Sequence, residues 1–175
     1  MPNSRNHHAL SVVACALAVS IAPLPLFAKS TTNTNSVSAC RHDDTNFRCV
    51  QWVKNYDGDT ITVNIPRVHV VFGNKIKIRV KGIDTPEIRT KNSCEKKKGQ
   101  AGQQFVERLC SKARRIDLTN VAGKDNFGRL LADVVCDGKS VAAELLKKQL
   151  AYRYDGKKKP NNLDWCKPLS PHLLK

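Results

Sequence analysis

Strict alternation is the first order visible along the chain. In "TITVNI" the apolar Ile61, Val63 and Ile65 alternate with polar residues, the period of a half-buried β-strand. "KIKIRVKGID" repeats it, with Ile76, Ile78 and Val80 on one face and Lys75, Lys77, Arg79 and Lys81 on the other, a basic stripe. Phe47 to Lys54 predicts a strand ahead of these, and Asp57-Gly58 the turn between. From Gly99 to Ala113 the period becomes helical: Ala101, Phe105 and Leu109 recur at every fourth residue, flanked by Gly102, Val106 and Cys110. "RRIDLTNV" and "RLLADVVC" predict a strand pair joined by the turn-rich "AGKDNFG", and Val141 to Leu150 a second helix. Strands first and helices around them predict an α+β domain, a small antiparallel barrel packed against two helices. The tail "KPLSPHLLK", with two prolines, predicts no long helix.

The N-terminal pattern is different. Arg5, His7 and His8 precede an uncharged apolar run from Ala9, and "APLPLFA" ends in a small residue before Lys29, which reads as a secretory signal over residues 1–28. An uncleaved anchor is the rival, opposed by Pro23 and Pro25; a lipoprotein is opposed by Cys15, which sits inside the apolar run. Residues 29–39, "KSTTNTNSVSA", read as a disordered linker, and residues 40–175 as one domain. The exported product is expected to be periplasmic or secreted, monomeric, and without stable membrane association once the signal is removed.

Six cysteines follow the signal: Cys40, Cys49, Cys94, Cys110, Cys136 and Cys166. An even count without a C-x-x-C spacing predicts disulfides in an oxidising compartment rather than zinc thiolates. Without the signal and its one charged residue, Arg5, the chain carries 29 basic and 15 acidic residues. That excess favours a polyanionic partner, and nucleic acid is the commonest. Each "KKK" run, Lys96–Lys98 and Lys157–Lys159, taken alone reads as solvated surface.

Against this basic background two acidic motifs stand out, "DGDT" at Asp57–Thr60 and "DTPE" at Asp84–Glu87. Each has a plain reading, a hairpin turn and a strand exit. Together they place Asp59 at the start of one strand and Asp84 at the end of another, so that adjacent strands would bring the two carboxylates side by side. Carboxylates with a backbone carbonyl are hard ligands suited to Ca²⁺ or Mg²⁺. An EF-hand is excluded, because Ile61 takes its third ligand position. His42 with Asp43 and Asp44 reads as solvated linker rather than a metal cluster.

The ordered set Asp57-Gly58-Asp59-Thr60, Arg79, Asp84-Thr85-Pro86-Glu87 and Asp125-Asn126-Phe127-Gly128-Arg129 resembles the staphylococcal nuclease (thermonuclease) family over roughly Val50 to Asn162. The resemblance implies an OB-fold barrel with helices and a Ca²⁺-dependent phosphodiesterase acting on DNA and RNA, with Mg²⁺ or Mn²⁺ not excluded. It implies Asp59, Asp84 and the Thr85 carbonyl as metal ligands, Glu87 as the residue that activates water, and Arg79 and Arg129 as phosphate-binding arginines. Lys77, Lys81 and Tyr154 are candidate substrate contacts, Tyr154 by stacking on a base.

Asn126 and Phe127 stand where the family commonly has a lysine and a tyrosine, so two polar phosphate contacts are lost. The long final helix of the family prototype is missing as well. The "YDGKKKPNNLDWC" segment resembles shorter exported relatives, which implies a Cys94–Cys166 disulfide. Cys110–Cys136 and Cys40–Cys49 are the expected remaining pairs, one joining the first helix to the end of a strand, the other closing a local loop. A noncatalytic nucleic-acid-binding OB-fold module is the alternative, disfavoured by Asp59, Asp84, Glu87, Arg79 and Arg129 occurring together. A cationic protein acting on envelopes or glycans would need none of these acids.

Overall fold

The computed structural model describes residues 39–161 and 163–175. The expected signal, and all of the expected linker except Ala39, lie outside the described residues. The predicted alternation becomes β1 (Gln51–Asn55), β2 (Thr60–Asn64) and β3 (Ile76–Val80), an antiparallel meander in which Thr60 pairs with Arg79 and Val63 with Ile76. A bulge between Trp52 and Lys54 shifts the β1/β2 register. β5 (Ile116–Thr119) and β6 (Leu130–Cys136) form the second antiparallel pair, and β7 (Lys139–Ser140) continues from β6.

The two halves join through β3 and β6, a parallel pair in a barrel whose other pairings are antiparallel. The chain between β3 and β6 passes through a long helix, Ser93–Cys110, and β5, enough length for β6 to re-enter alongside β3 in the same direction. The sheet order is β1-β2-β3-β6-β5. The ring closes ahead of β1, where Phe47 exchanges backbone hydrogen bonds with Leu118 and Val50 N–H donates to the Ile116 carbonyl. One segment therefore serves both ends of the sheet, bending at Cys49, whose φ is 55°. Ile61, Val63, Ile78, Val80, Leu118, Ala132 and Val134 fill the interior.

α2 (Ser93–Cys110) begins six residues before its predicted start, because the side chain of Asn92 accepts hydrogen bonds from the N–H groups of Cys94 and Glu95 and caps a first turn that has no apolar period. α3 (Val141–Lys147) ends short of Leu150. α1 (Val70–Gly73) is a single turn that the pattern did not predict, and it exposes Val70, Val71 and Phe72. β4 (Ile83–Asp84) and β8 (Tyr152–Arg153) form a separate two-stranded pair. Beyond it a second small core gathers Tyr152, Trp165 and Leu169.

Disulfides join Cys40–Cys49, Cys94–Cys166 and Cys110–Cys136, with Cα separations of 5.4, 5.2 and 5.3 Å. Two of them grip α2, one in its first turn and one at its last residue. The His42 segment is built into the fold and is not a solvated linker: the His42 ring bonds the Pro66 carbonyl at 2.6 Å and accepts the Arg48 N–H, while Asp43 gathers Thr45, Asn46 and Arg48.

Candidate active site

Each residue of "DGDT" has a separate task. Asp57 makes the turn, its Oδ1 accepting the N–H groups of Asp59 at 3.0 Å and Thr60 at 2.7 Å. Gly58 supplies clearance, since a Cβ there would stand 2.9 Å from the Thr85 methyl. That close approach lets the Thr85 N–H and hydroxyl donate to Asp59 Oδ2 at 2.8 and 2.9 Å. The "DTPE" segment is thereby locked against the β1/β2 turn.

Asp59 and Asp84 are brought together, but not as neighbours on adjacent paired strands. β4, which carries Asp84, pairs with β8. The link is Arg79, whose Nη1 lies 3.3 Å from Asp59 Oδ2 and whose Nη2 donates to Asp84 Oδ1 at 2.8 Å. Nη1 also donates to the carbonyls of Val80 and Ile83, fixing the guanidinium in the bend between β3 and β4. Arg79 is thus 8% exposed rather than one more cation on a solvated stripe. Its alternation was legible, but the cover supplied by β4 folding back was not.

The β4/β8 register sets Tyr152 opposite Asp84, and its hydroxyl donates to Asp84 Oδ2 at 2.7 Å. Lys159 reaches the same oxygen at 2.9 Å and Glu87 Oε1 at 3.4 Å. Neither contact leaves a signature in the sequence. Tyr152 lies on a two-residue strand with no periodic signal, and Lys159 is indistinguishable in sequence from its neighbours in a basic run.

Arg129 enters from the turn before β6. Asp125 Oδ1 accepts the N–H groups of Phe127 and Arg129, and Oδ2 receives Arg129 Nε at 2.7 Å, while Nη1 donates to Thr60 Oγ1 at 3.0 Å. Thr60 is thus the hinge between both arginines, paired in register with Arg79 and hydrogen-bonded to Arg129. Among the described residues Arg129 Nη2 has no hydrogen-bond partner. Phe127 is 84% exposed at the cleft mouth, its ring 5.3 Å from that guanidinium.

Asp57, Asp59, Thr60, Arg79, Asp84, Thr85, Glu87, Arg129 and Lys159 line one open cleft of about 1240 Å³, with Lys77, Lys81 and Tyr154 on its walls. Lys81 Nζ donates to the Asn120 carbonyl at 2.9 Å and Tyr154 packs edge-on to Tyr152. Burial is the main force on Asp59. It pushes the Asp59 carboxyl up to about 7 against the opposing pull of Arg79, with Asp57 and Asp84 adding to the rise. The Tyr152 phenol is raised likewise, by burial first and then by its bond to Asp84. Against the cost of its own burial, Asp84 and Glu87 hold the Lys159 ammonium above the ordinary lysine range.

Asp59 and Asp84 share one buried guanidinium, at 3.3 and 2.8 Å, so two carboxylates face a single arginine. The donors are hard oxygens, and the chemistry fits Ca²⁺ or Mg²⁺. Among the described residues no three His, Cys, Asp or Glu side chains converge as a metal cluster, so a cation here would need backbone or water oxygens as well.

The chain is similar to known proteins over much of this region. The family model described as "Staphylococcal nuclease homologue" matches residues 77–166, slightly more than half of the chain. "Endonuclease YncB" of Bacillus subtilis (strain 168) is 38% identical over 96 residues, which cover 54% of this chain and 43% of that protein. "SPbeta prophage-derived endonuclease YokF" of the same organism is 40% identical over 96 residues, covering 54% and 30%. "Staphylococcal-like nuclease CAN1" of Arabidopsis thaliana is 36% identical over 84 residues, covering 48% and 24%. The matched region spans less than half the length of each of these relatives. With the family match from Lys77 to Cys166, more than half of the chain, the chain belongs to the staphylococcal nuclease family.

Proposed function

We propose that this chain is an exported, metal-dependent endonuclease that hydrolyses phosphodiester bonds of DNA and RNA without regard to sugar. The observation that carries the reading is the convergence of Asp59, Asp84, Thr85, Glu87, Arg79 and Arg129 on a single lysine-walled cleft. Three disulfides support export to the periplasm or the medium. Among the described residues no helix is long and apolar enough to cross a membrane.

Asp59, Asp84 and the Thr85 carbonyl are the groups that would hold a divalent cation, which supplies positive charge against the non-bridging phosphate oxygens. Glu87 takes the proton of the attacking water as the water oxygen bonds to phosphorus and the opposite P–O ester bond breaks. Arg129 presents Nη2 to the charge that develops on the phosphoryl group, and Arg79 keeps the two aspartates in place while facing the same charge. Lys77 and Lys81 hold the flanking phosphates by charge alone, which reads no sequence. Tyr154 offers a ring on the cleft wall for a base.

The test is incubation of the purified oxidised protein with plasmid DNA and with RNA, in Ca²⁺ and in excess chelator. Cleavage of both polymers in Ca²⁺ and of neither in chelator is expected, with Asp59→Ala and Asp84→Ala inactive but folded. Full activity of either variant in chelator would sink the metal assignment. Binding by a protein that cuts neither polymer would favour the noncatalytic module.

A further inference from the structure

Lys157, Lys158 and Lys159 form one basic run, yet the structure treats them differently. Lys157 Nζ pairs in solvent with Asp155 at 3.5 Å. Lys159 instead turns into the cleft and reaches Asp84 Oδ2 at 2.9 Å and Glu87 Oε1 at 3.4 Å. Asp84 Oδ1 is held by Arg79 Nη2, and its Oδ2 already accepts the Tyr152 hydroxyl. The chain itself therefore engages both oxygens of Asp84, and one of the engaging groups is an ammonium on a long, exposed stem. Lys159 is held near the cleft from its far side, where Trp165 packs on Tyr152 and Cys166 is bonded to Cys94 on α2.

We propose that Lys159 is a tethered counter-ion for Asp84 and Glu87, and that a divalent cation binds at Asp84 by displacing its ammonium. The inference rests on the metal-binding reading given above. An ammonium is a compact charge without the two-point grip of a guanidinium, so of the two cations on Asp84 it is the one that yields. Arg79 is fixed by two carbonyls and two carboxylates, whereas the Lys159 side chain is 53% exposed. The tether keeps the ammonium at high effective concentration beside the acids, so that it competes with any incoming cation. The pair Asp84/Glu87 is then never left without a positive charge.

The experiment is calorimetric titration of Ca²⁺ into the folded, oxidised, metal-stripped full chain and its variants, with no substrate present. Lys159→Gln is expected to bind about fivefold more tightly than the unaltered protein, the scale of one partly exposed ion pair. Lys159→Arg should not show this gain, and Lys158→Gln, which removes the same charge one residue away, should stay within about twofold of the unaltered protein. In a ¹⁵N spectrum the Lys159 Nζ signal should shift on Ca²⁺ saturation. Equal affinities of the unaltered protein and Lys159→Gln, an equal gain in Lys158→Gln, or an unmoved Nζ signal would each overturn the proposal while leaving the metal reading intact. Absence of Ca²⁺ binding in every variant would overturn both.

Discussion

Two glycines on one face of α2 make opposite predictions for the same substitution. A Cβ at Gly99 would lie 2.7 Å from the Pro86 carbonyl oxygen and 3.2 Å from the Glu87 backbone, whereas at Gly102 the nearest atoms stand at 3.8 Å or beyond. Alanine at either site gains about 1 kcal/mol of helix propensity over glycine. At Gly102 nothing opposes the gain, so Gly102→Ala should be about 1 kcal/mol more stable in urea unfolding, with turnover unchanged. At Gly99 the obstacle is backbone, and restoring an ordinary 3.4 Å contact from 2.7 Å requires a shift of 0.7 Å. Overpacking of this kind costs about 1–3 kcal/mol, which cancels or exceeds the propensity gain, so Gly99→Ala should be neutral to about 2 kcal/mol less stable. The segment that moves is the one holding Glu87. A displacement near 1 Å at the reacting groups costs about 100-fold in rate, so turnover should fall by roughly tenfold to 100-fold while binding to single-stranded DNA in chelator is retained. Gly99→Ala that matched Gly102→Ala in both stability and turnover would refute the close packing of α2 on the Pro86–Glu87 backbone.

Arg79→Lys and Arg129→Lys keep the charge but lose the fork, and single-turnover cleavage should slow by about 100-fold or more in each; rates near the unaltered value would show that the forks are dispensable. Replacing Cys94 and Cys166 by serine opens a loop spanning 72 residues, which in the chain-entropy model costs about 4 kcal/mol, read as a lowered urea midpoint against the oxidised protein. The Thr45 N–H bonded to Asp43, against the cost of desolvation and with help from Asn46 and Arg48, holds that carboxyl down at about 2. Because the folded pKa lies below the ordinary 3.8, Asp43 stabilises above that value and its contribution fades as pH falls towards 2; Asp43→Asn should flatten this acid limb of a melting-temperature profile, and an unchanged limb would rule Asp43 out as its source.

The sequence made the barrel legible where one face was apolar and the other polar. Ile61, Val63, Ile76, Ile78 and Val80 alternate because one face of β2 and β3 packs inward while the other, with Thr60, Thr62, Lys77 and Arg79, lines the cleft. It failed where tertiary cover changed the rule. Arg79 keeps the register of the basic stripe yet is buried, since β4 folds back on it, and the parallel β3/β6 contact depends on a long crossover that no local pattern encodes. The candidate site was legible as motifs, because turn chemistry at Asp57 and ligand chemistry at Asp59 and Asp84 both leave short signatures. The parts contributed from far along the chain left none: Tyr152 and Lys159 act on Asp84 across 68 and 75 residues, through contacts fixed by packing and not by spacing.

The bonds at both ends of α2 also decide what a protease can do to this protein. Lys157 and Lys158 are exposed, and a tryptic cut between them breaks the backbone between Cys94 and Cys166. The severed piece stays attached through Cys166, which is bonded to the first turn of α2. Any single nick from Cys94 to Cys166 leaves one covalent molecule, seen as one band without reductant and two with it. The segment carrying Lys159 and Trp165 thus outlasts the continuity of the chain that delivered it.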